Sequence, residues 1–133
     1  MMDKLPLVRV AEVAFLAANV KKCVDFYERI GLRFPPGLER LNFANVGEQL
    51  FGVCEEKQGF FDGKGGFVGA KLHVAFEVPK DKLDECISFL RAKGVETSPK
   101  NEWQDDFHGV RRSASVYFKD PAGNIIELWA PSK

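Results

Sequence analysis

The segment Glu12-Val13-Ala14-Phe15 recurs as His73-Val74-Ala75-Phe76, and a third polar side chain, Glu127, stands inside the apolar run Ile125-Ile126-Glu127-Leu128-Trp129. An acid or an imidazole in the middle of an apolar strand costs free energy to bury unless it is paired or holds a metal ion. Three such intrusions in one small chain point to a shared site. Two carboxylates and one imidazole leave positions open on a bound cation, which could then act as a Lewis acid on the oxygens of a small molecule. Each residue also has a plainer reading. His73 could be a hydrogen-bonded strand imidazole, and the acid at Glu12 could pair with Arg9.

Periodicity gives the elements that must position these residues. In Val8 to Ala17 the two-residue period puts Val10, Glu12 and Ala14 on one face and Ala11, Val13 and Phe15 on the other. Asn19 is an N-cap for a helix whose stripe is Val20, Cys23, Val24, Tyr27 and Ile30, with Gly31 as its stop. Leu41 to Val46 and Leu50 to Cys54 flank the turn Gly47-Glu48-Gln49 as antiparallel strands. A charged, glycine-rich connector follows. Leu72 to Val78 then reads as a strand with His73, Ala75 and Glu77 on one face, and a helix from about Lys80 to Lys93 carries Leu83, Cys86, Ile87 and Leu90 before Gly94 ends it. Ser113 to Phe118 and Asn124 to Ala130 form a hairpin about Asp120-Pro121-Ala122-Gly123.

The second half copies the first. The fold class expected is α+β: two tandem βαβββ modules, with module 1 at about 7–56, a connector at about 57–70 and module 2 at about 71–131 of a single domain. Side by side, the modules form a curved mixed sheet with helices on the convex side and a concave cleft. That cleft collects Glu12, His73, Tyr117 and Glu127.

At 133 residues the chain is long enough to bury a core without disulfide staples. Its 19 basic residues balance 19 acidic ones, so no field steers it toward nucleic acid. Cys23, Cys54 and Cys86 form an odd set without C-x-x-C spacing and read as reduced thiols. Met1 to Pro6 lacks the apolar core of a signal peptide, and no apolar run approaches the ~18 residues of a membrane span. A soluble, cytoplasmic protein with no membrane partner is the expectation.

Several segments together carry a resemblance. They are Val13-Ala14-Phe15 with Asp25-Phe26-Tyr27-Glu28-Arg29-Ile30-Gly31-Leu32, then His73 to Val78, then Ser115-Val116-Tyr117-Phe118-Lys119-Asp120-Pro121-Ala122-Gly123-Asn124-Ile125-Ile126-Glu127-Leu128. With these the chain resembles the vicinal oxygen chelate superfamily, the group of glyoxalase I, fosfomycin-resistance thiol transferases, extradiol dioxygenases, methylmalonyl-CoA epimerase and bleomycin-binding proteins. The resemblance implies the paired-module fold, a homodimer, and a divalent cation (Mn, Fe, Co, Ni or Zn) bound by first-strand and last-strand residues. On this sequence those positions fall on Glu12, His73 and Glu127, while the last-strand position of module 1 falls at about Gly52, which has no side chain to offer. A three-ligand site is what remains.

The function implied is metal-dependent glyoxalase- or dioxygenase-like chemistry, a lyase or isomerase acting on a small molecule. The alternative is a metal-free protein that sequesters a small ligand, as bleomycin-resistance proteins do. Glu127 and Tyr117 are the catalytic candidates, and Asn42, Cys54, Trp103, Arg112 and Trp129 the substrate-binding ones. Tyr117, Trp103 and Trp129 could equally be packing residues. Of Arg111 and Arg112, adjacent on a strand, only one can face a ligand. Cys54 has no neighbour in sequence to lower its pKa, and His108 reads as a loop residue. Glu77, on the His73 face, is the nearby candidate for a general base.

Overall fold

The computed structural model describes residues 2–34, 41–47, 49–55, 72–104 and 112–132. In chain order these form β1 (Arg9–Ala17), α1 (Val20–Arg29), β2 (Leu41–Val46), β3 (Gln49–Glu55), β4 (Leu72–Glu77), α2 (Leu83–Ala92), β5 (Asn101–Trp103), β6 (Ser113–Lys119) and β7 (Ile125–Pro131). The described strands make one mixed sheet in the order β2-β3-β1-β4-β7-β6-β5.

The sheet is organised about the antiparallel β1–β4 pair. Outward from that pair, β1 runs parallel to β3 and β4 parallel to β7, while β3 and β7 each pair antiparallel with a hairpin partner, β2 and β6. The repeat seen in the sequence is therefore a repeat of pairing. Ala14 lies opposite Gly52 as Ala75 lies opposite Glu127, and Gly52 lies opposite Phe43 as Glu127 lies opposite Tyr117. The extra strand expected in the second half is β5. Its counterpart in the first half, and the connector at 57–70, lie outside the described residues.

Helix α1 begins where expected, because the Asn19 side chain accepts from the Lys22 N–H at 3.1 Å. Helix α2 begins three residues later than the sequence suggests. The Lys82 N–H bonds back to the Pro79 carbonyl at 3.0 Å and closes a turn over Lys80 and Asp81, so the first helical residue is Leu83. Gly31 and Gly94 follow the two helices with φ of +117° and +79°, a conformation open to glycine at little cost.

One side of the sheet packs against α2 through Val78, Leu83, Cys86, Ile87, Leu90, Val116, Leu128 and Ala130. The other side carries a second cluster built from Ala14, Leu16, Phe43, Leu50, Cys54, Ala75, Tyr117, Ile125 and Trp129. Ala11 belongs to this second cluster, not to the Phe15 face that alternation predicts. The β1–β4 register slips between Val10 and Glu12, and this bulge leaves two β1 residues opposite one on β4.

Candidate metal centre

The bulge comes immediately before Glu12, and strand alternation then places Glu12 on the same face as His73 and Glu127. The pairing Glu12–Ala75–Glu127 sets the two acids one strand apart on either side of β4, and His73 stands two residues before Ala75 on that same face. The imidazole ends up between the carboxylates. His73 Nε2 is 3.0 Å from Glu127 Oε1 and 3.3 Å from Glu12 Oε1. All three side chains are buried, and their ligand atoms lie within 4.8 Å of one another in a single chain.

The other imidazole nitrogen decides what can sit at the centre. His73 Nδ1 is 3.3 Å from the Ile125 carbonyl oxygen, which can only accept, so Nδ1 carries a proton. Nε2 then either carries a second proton or turns its lone pair toward two carboxylates. Three acceptors cannot converge in a buried place without a proton or a cation among them. A proton on Nε2 or a cation satisfies that requirement. An Nδ1–H held by a main-chain carbonyl is the arrangement that orients an imidazole for metal binding through Nε2.

The electrostatics agree. Burial disfavours a charged imidazole, yet the hydrogen bonds and charges of Glu12 and Glu127 outweigh it and hold His73 up to about 10. Burial pushes Glu12 up to about 7, opposed by the hydrogen bond to His73 and reinforced by the charge of Glu127. An imidazolium offsets only one of two carboxylates, whereas a dication with a neutral imidazole offsets both. By charge, donor chemistry and spacing, the residues fit a divalent cation.

The surroundings are apolar and aromatic. The Tyr117 ring lies 5.8 Å from that of His73, and burial, then the charge of Glu127, raises its phenol well above the ordinary value, so it stays protonated. Cys54 is buried beside the acids. Burial and the charges of Glu12 and Glu127 push its thiol up, which makes it an inert wall and not a nucleophile. Trp129 belongs to the same buried cluster, and Trp103 packs against it while its indole donates to Ser115 Oγ at 2.6 Å.

Other residues singled out in the sequence stand elsewhere. Arg112 is exposed, and its carbonyl accepts from the Ser132 main chain and hydroxyl at the sheet's end. Glu77 is held by Arg9 Nε at 2.7 Å, so Arg9 pairs with Glu77 and not with Glu12. The backbone of Asn42 pairs with Val53 in the β2–β3 hairpin, but its side chain, like Arg111 and His108, lies outside the described residues. Sequence reasoning missed the Ile125 carbonyl, which no side-chain pattern could reveal. It also missed Ser98, whose Oγ accepts the Tyr117 N–H at 2.9 Å, and Phe43, which alternation along β2 would have placed on the site face.

No protein-family model and no curated protein sequence matches the chain. Solved structures do match. A methylmalonyl-CoA epimerase variant from Streptomyces coelicolor, in complex with 2-nitronate-propionyl-CoA, superposes with a TM-score of 0.64 at 17% identity, over 95% of this chain and 96% of that one. The methylmalonyl-CoA epimerase of Mycobacterium tuberculosis gives 0.62 at 14%, over 100% and 94%. A glyoxalase/bleomycin resistance protein/dioxygenase superfamily member from Vibrio splendidus 12B01 gives 0.61 at 7%, over 92% and 97%. The chain has the vicinal oxygen chelate fold. At these identities the likeness is one of fold, and the activity must be argued from the site.

Proposed function

We propose that this protein binds one divalent cation between Glu12, His73 and Glu127 and uses it on a small molecule that brings adjacent oxygens to the site. The reaction would be of the glyoxalase, isomerase, lyase or dioxygenase kind. The observation that carries this reading is the convergence of two buried carboxylates on an imidazole nitrogen whose partner nitrogen is already committed to the Ile125 carbonyl. The cation, one of Mn, Fe, Co, Ni or Zn, would supply Lewis acidity toward substrate oxygens. Two carboxylates neutralise a dication, so this acidity is milder than in a site richer in imidazole.

The chain's own residues supply the rest. Ile125 orients the imidazole, and Glu12 and Glu127 provide the charge. Tyr117, held protonated with its hydroxyl hydrogen-bonded to the Ser115 side chain and its ring beside His73, would stand next to an oxygen on which negative charge develops. Leu50, Phe43 and Trp129 keep the neighbourhood apolar and so strengthen each polar contact. Purified without chelator, the protein should carry close to one equivalent of metal. A metal-free preparation whose melting is unmoved by Mn or Zn would sink the reading.

One observation favours a second reading. An imidazolium at His73 can satisfy the carboxylates without metal, and the aromatic side chains Tyr117, Trp129 and Trp103 around it could hold a planar ligand, as in a sequestering protein. The same metal analysis separates the two.

A further inference from the structure

The repeat in the sheet gives the triad a fourth, comparable position. Glu12 and His73 occupy equivalent places on β1 and β4, and the equivalent of Glu127 is Gly52, because each lies opposite the alanine two residues beyond its module's first polar residue. One strand further out, Phe43 opposite Gly52 corresponds to Tyr117 opposite Glu127. Glycine offers no donor atom, yet its place is taken. A Cβ built on Gly52 would overlap Cε1 and Cδ1 of the Phe43 ring. Backbone conformation does not explain the glycine, since Gly52 is not among the described glycines with positive φ, which are Gly31, Gly47, Gly94 and Gly123. What requires it is the close approach of the ring.

We propose that Phe43 determines specificity at this site. Laid over Gly52, its ring takes the place of a fourth protein ligand, limits the donors to Glu12, His73 and Glu127, and forms an apolar wall on the β3 side. The coordination positions left over then serve a ligand whose oxygens adjoin an apolar group. This rests on the cation reading above.

Cobalt(II) is the probe, because its visible absorption reports the donor set without turnover. The variant Phe43→Ala/Gly52→Glu removes the ring and adds a carboxylate. It is expected to bind Co(II) about tenfold more tightly than wild type and with a changed spectrum. The same affinity and spectrum in both proteins would overturn the proposal. A second measurement needs no metal. Gly52→Ala is expected to lower the melting temperature by about 5 °C in the wild-type background and not at all beside Phe43→Ala, where the new Cβ has room. Phe43→Val replaces Phe43→Ala if the larger deletion does not fold. Equal losses in both backgrounds would show that the ring does not occupy the fourth position, which also overturns the proposal. Wild-type protein that takes up no Co(II), with the melting pair behaving as expected, would instead locate the failure in the cation reading.

Discussion

Protons and the proposed cation would compete for the same spot between Glu12, His73 and Glu127, and each outcome has a measurable consequence. At pH 7 the cation-free site holds a proton on His73 and shares another at Glu12, so binding a dication should release roughly one to two protons, more at pH 6 than at pH 8.5. Calorimetry in buffers of different ionisation enthalpy counts them. Release of no protons would show that His73 and Glu12 are both unprotonated there before the cation binds. The stability of the cation-free protein follows the same groups. His73, raised from 6.5 to about 10, contributes stability that is complete below 6.5 and lost as pH rises through about 10. Glu12, raised from 4.5 to about 7, acts in the same direction, with its contribution complete below 4.5 and lost by about pH 7. Melting temperature should therefore fall as pH rises, and the gain from added metal should grow with pH. Substitution separates charge from ligation. Glu12→Gln should abolish metal uptake while stabilising the cation-free protein at pH 8 by on the order of 1 kcal/mol. His73→Leu leaves the two carboxylates facing each other and should cost about 3–5 kcal/mol, read by urea unfolding.

The two helices hold the sheet unequally. Helix α2 buries Leu83, Cys86, Ile87 and Leu90 against β6 and β7, whereas α1 buries none of its residues and meets the sheet through Tyr27, whose ring stacks edge-on to Phe51 at 5.1 Å. Leu90→Ala should therefore cost about 2–5 kcal/mol and Val24→Ala about 1 kcal/mol or less, with chemical denaturation as the measure. Equal losses would mean that α1 is anchored by more than the described contacts. Both helices were legible in the sequence, since a 3.6-residue apolar stripe ending in glycine is a strong local signal. The depth of their packing was not, because the same stripe serves a helix that is sunk in a core and one that lies on a surface. The bulge at Ala11 was equally invisible. It depends on how β4 registers against β1, and alternation along one strand carries no information about its neighbour.

Across the whole molecule the unequal packing leaves an apolar surface on the first half. Phe15, Phe26 and Ile30 remain 45%, 48% and 62% exposed, and a chain of edge-on rings runs from Phe15 through Phe51 and Tyr27 to Phe26. Contiguous exposed apolar surface of this kind favours association, and we propose a homodimer formed through it. Sedimentation should show twice the chain mass, with Phe26→Glu/Ile30→Glu reverting to single chains. Because the triad forms within one chain, that variant should still take up metal. No helix among the described residues is long and apolar enough to cross a membrane.

The sequence by itself determined the repeat, the order of the longer described strands and the two helices, and the three polar residues at its seams, because each is written in local periodicity or in the chemistry of a side chain set among apolar neighbours. Only the tertiary structure decided that Glu12 and Glu127 meet at one nitrogen of His73, that the Ile125 carbonyl fixes the other, and that Phe43 fills the place opened by Gly52. Those facts depend on strand register and on a main-chain atom. Register is set by the pairing of segments distant in the chain, and every residue carries the same carbonyl, so neither leaves a mark in residue type.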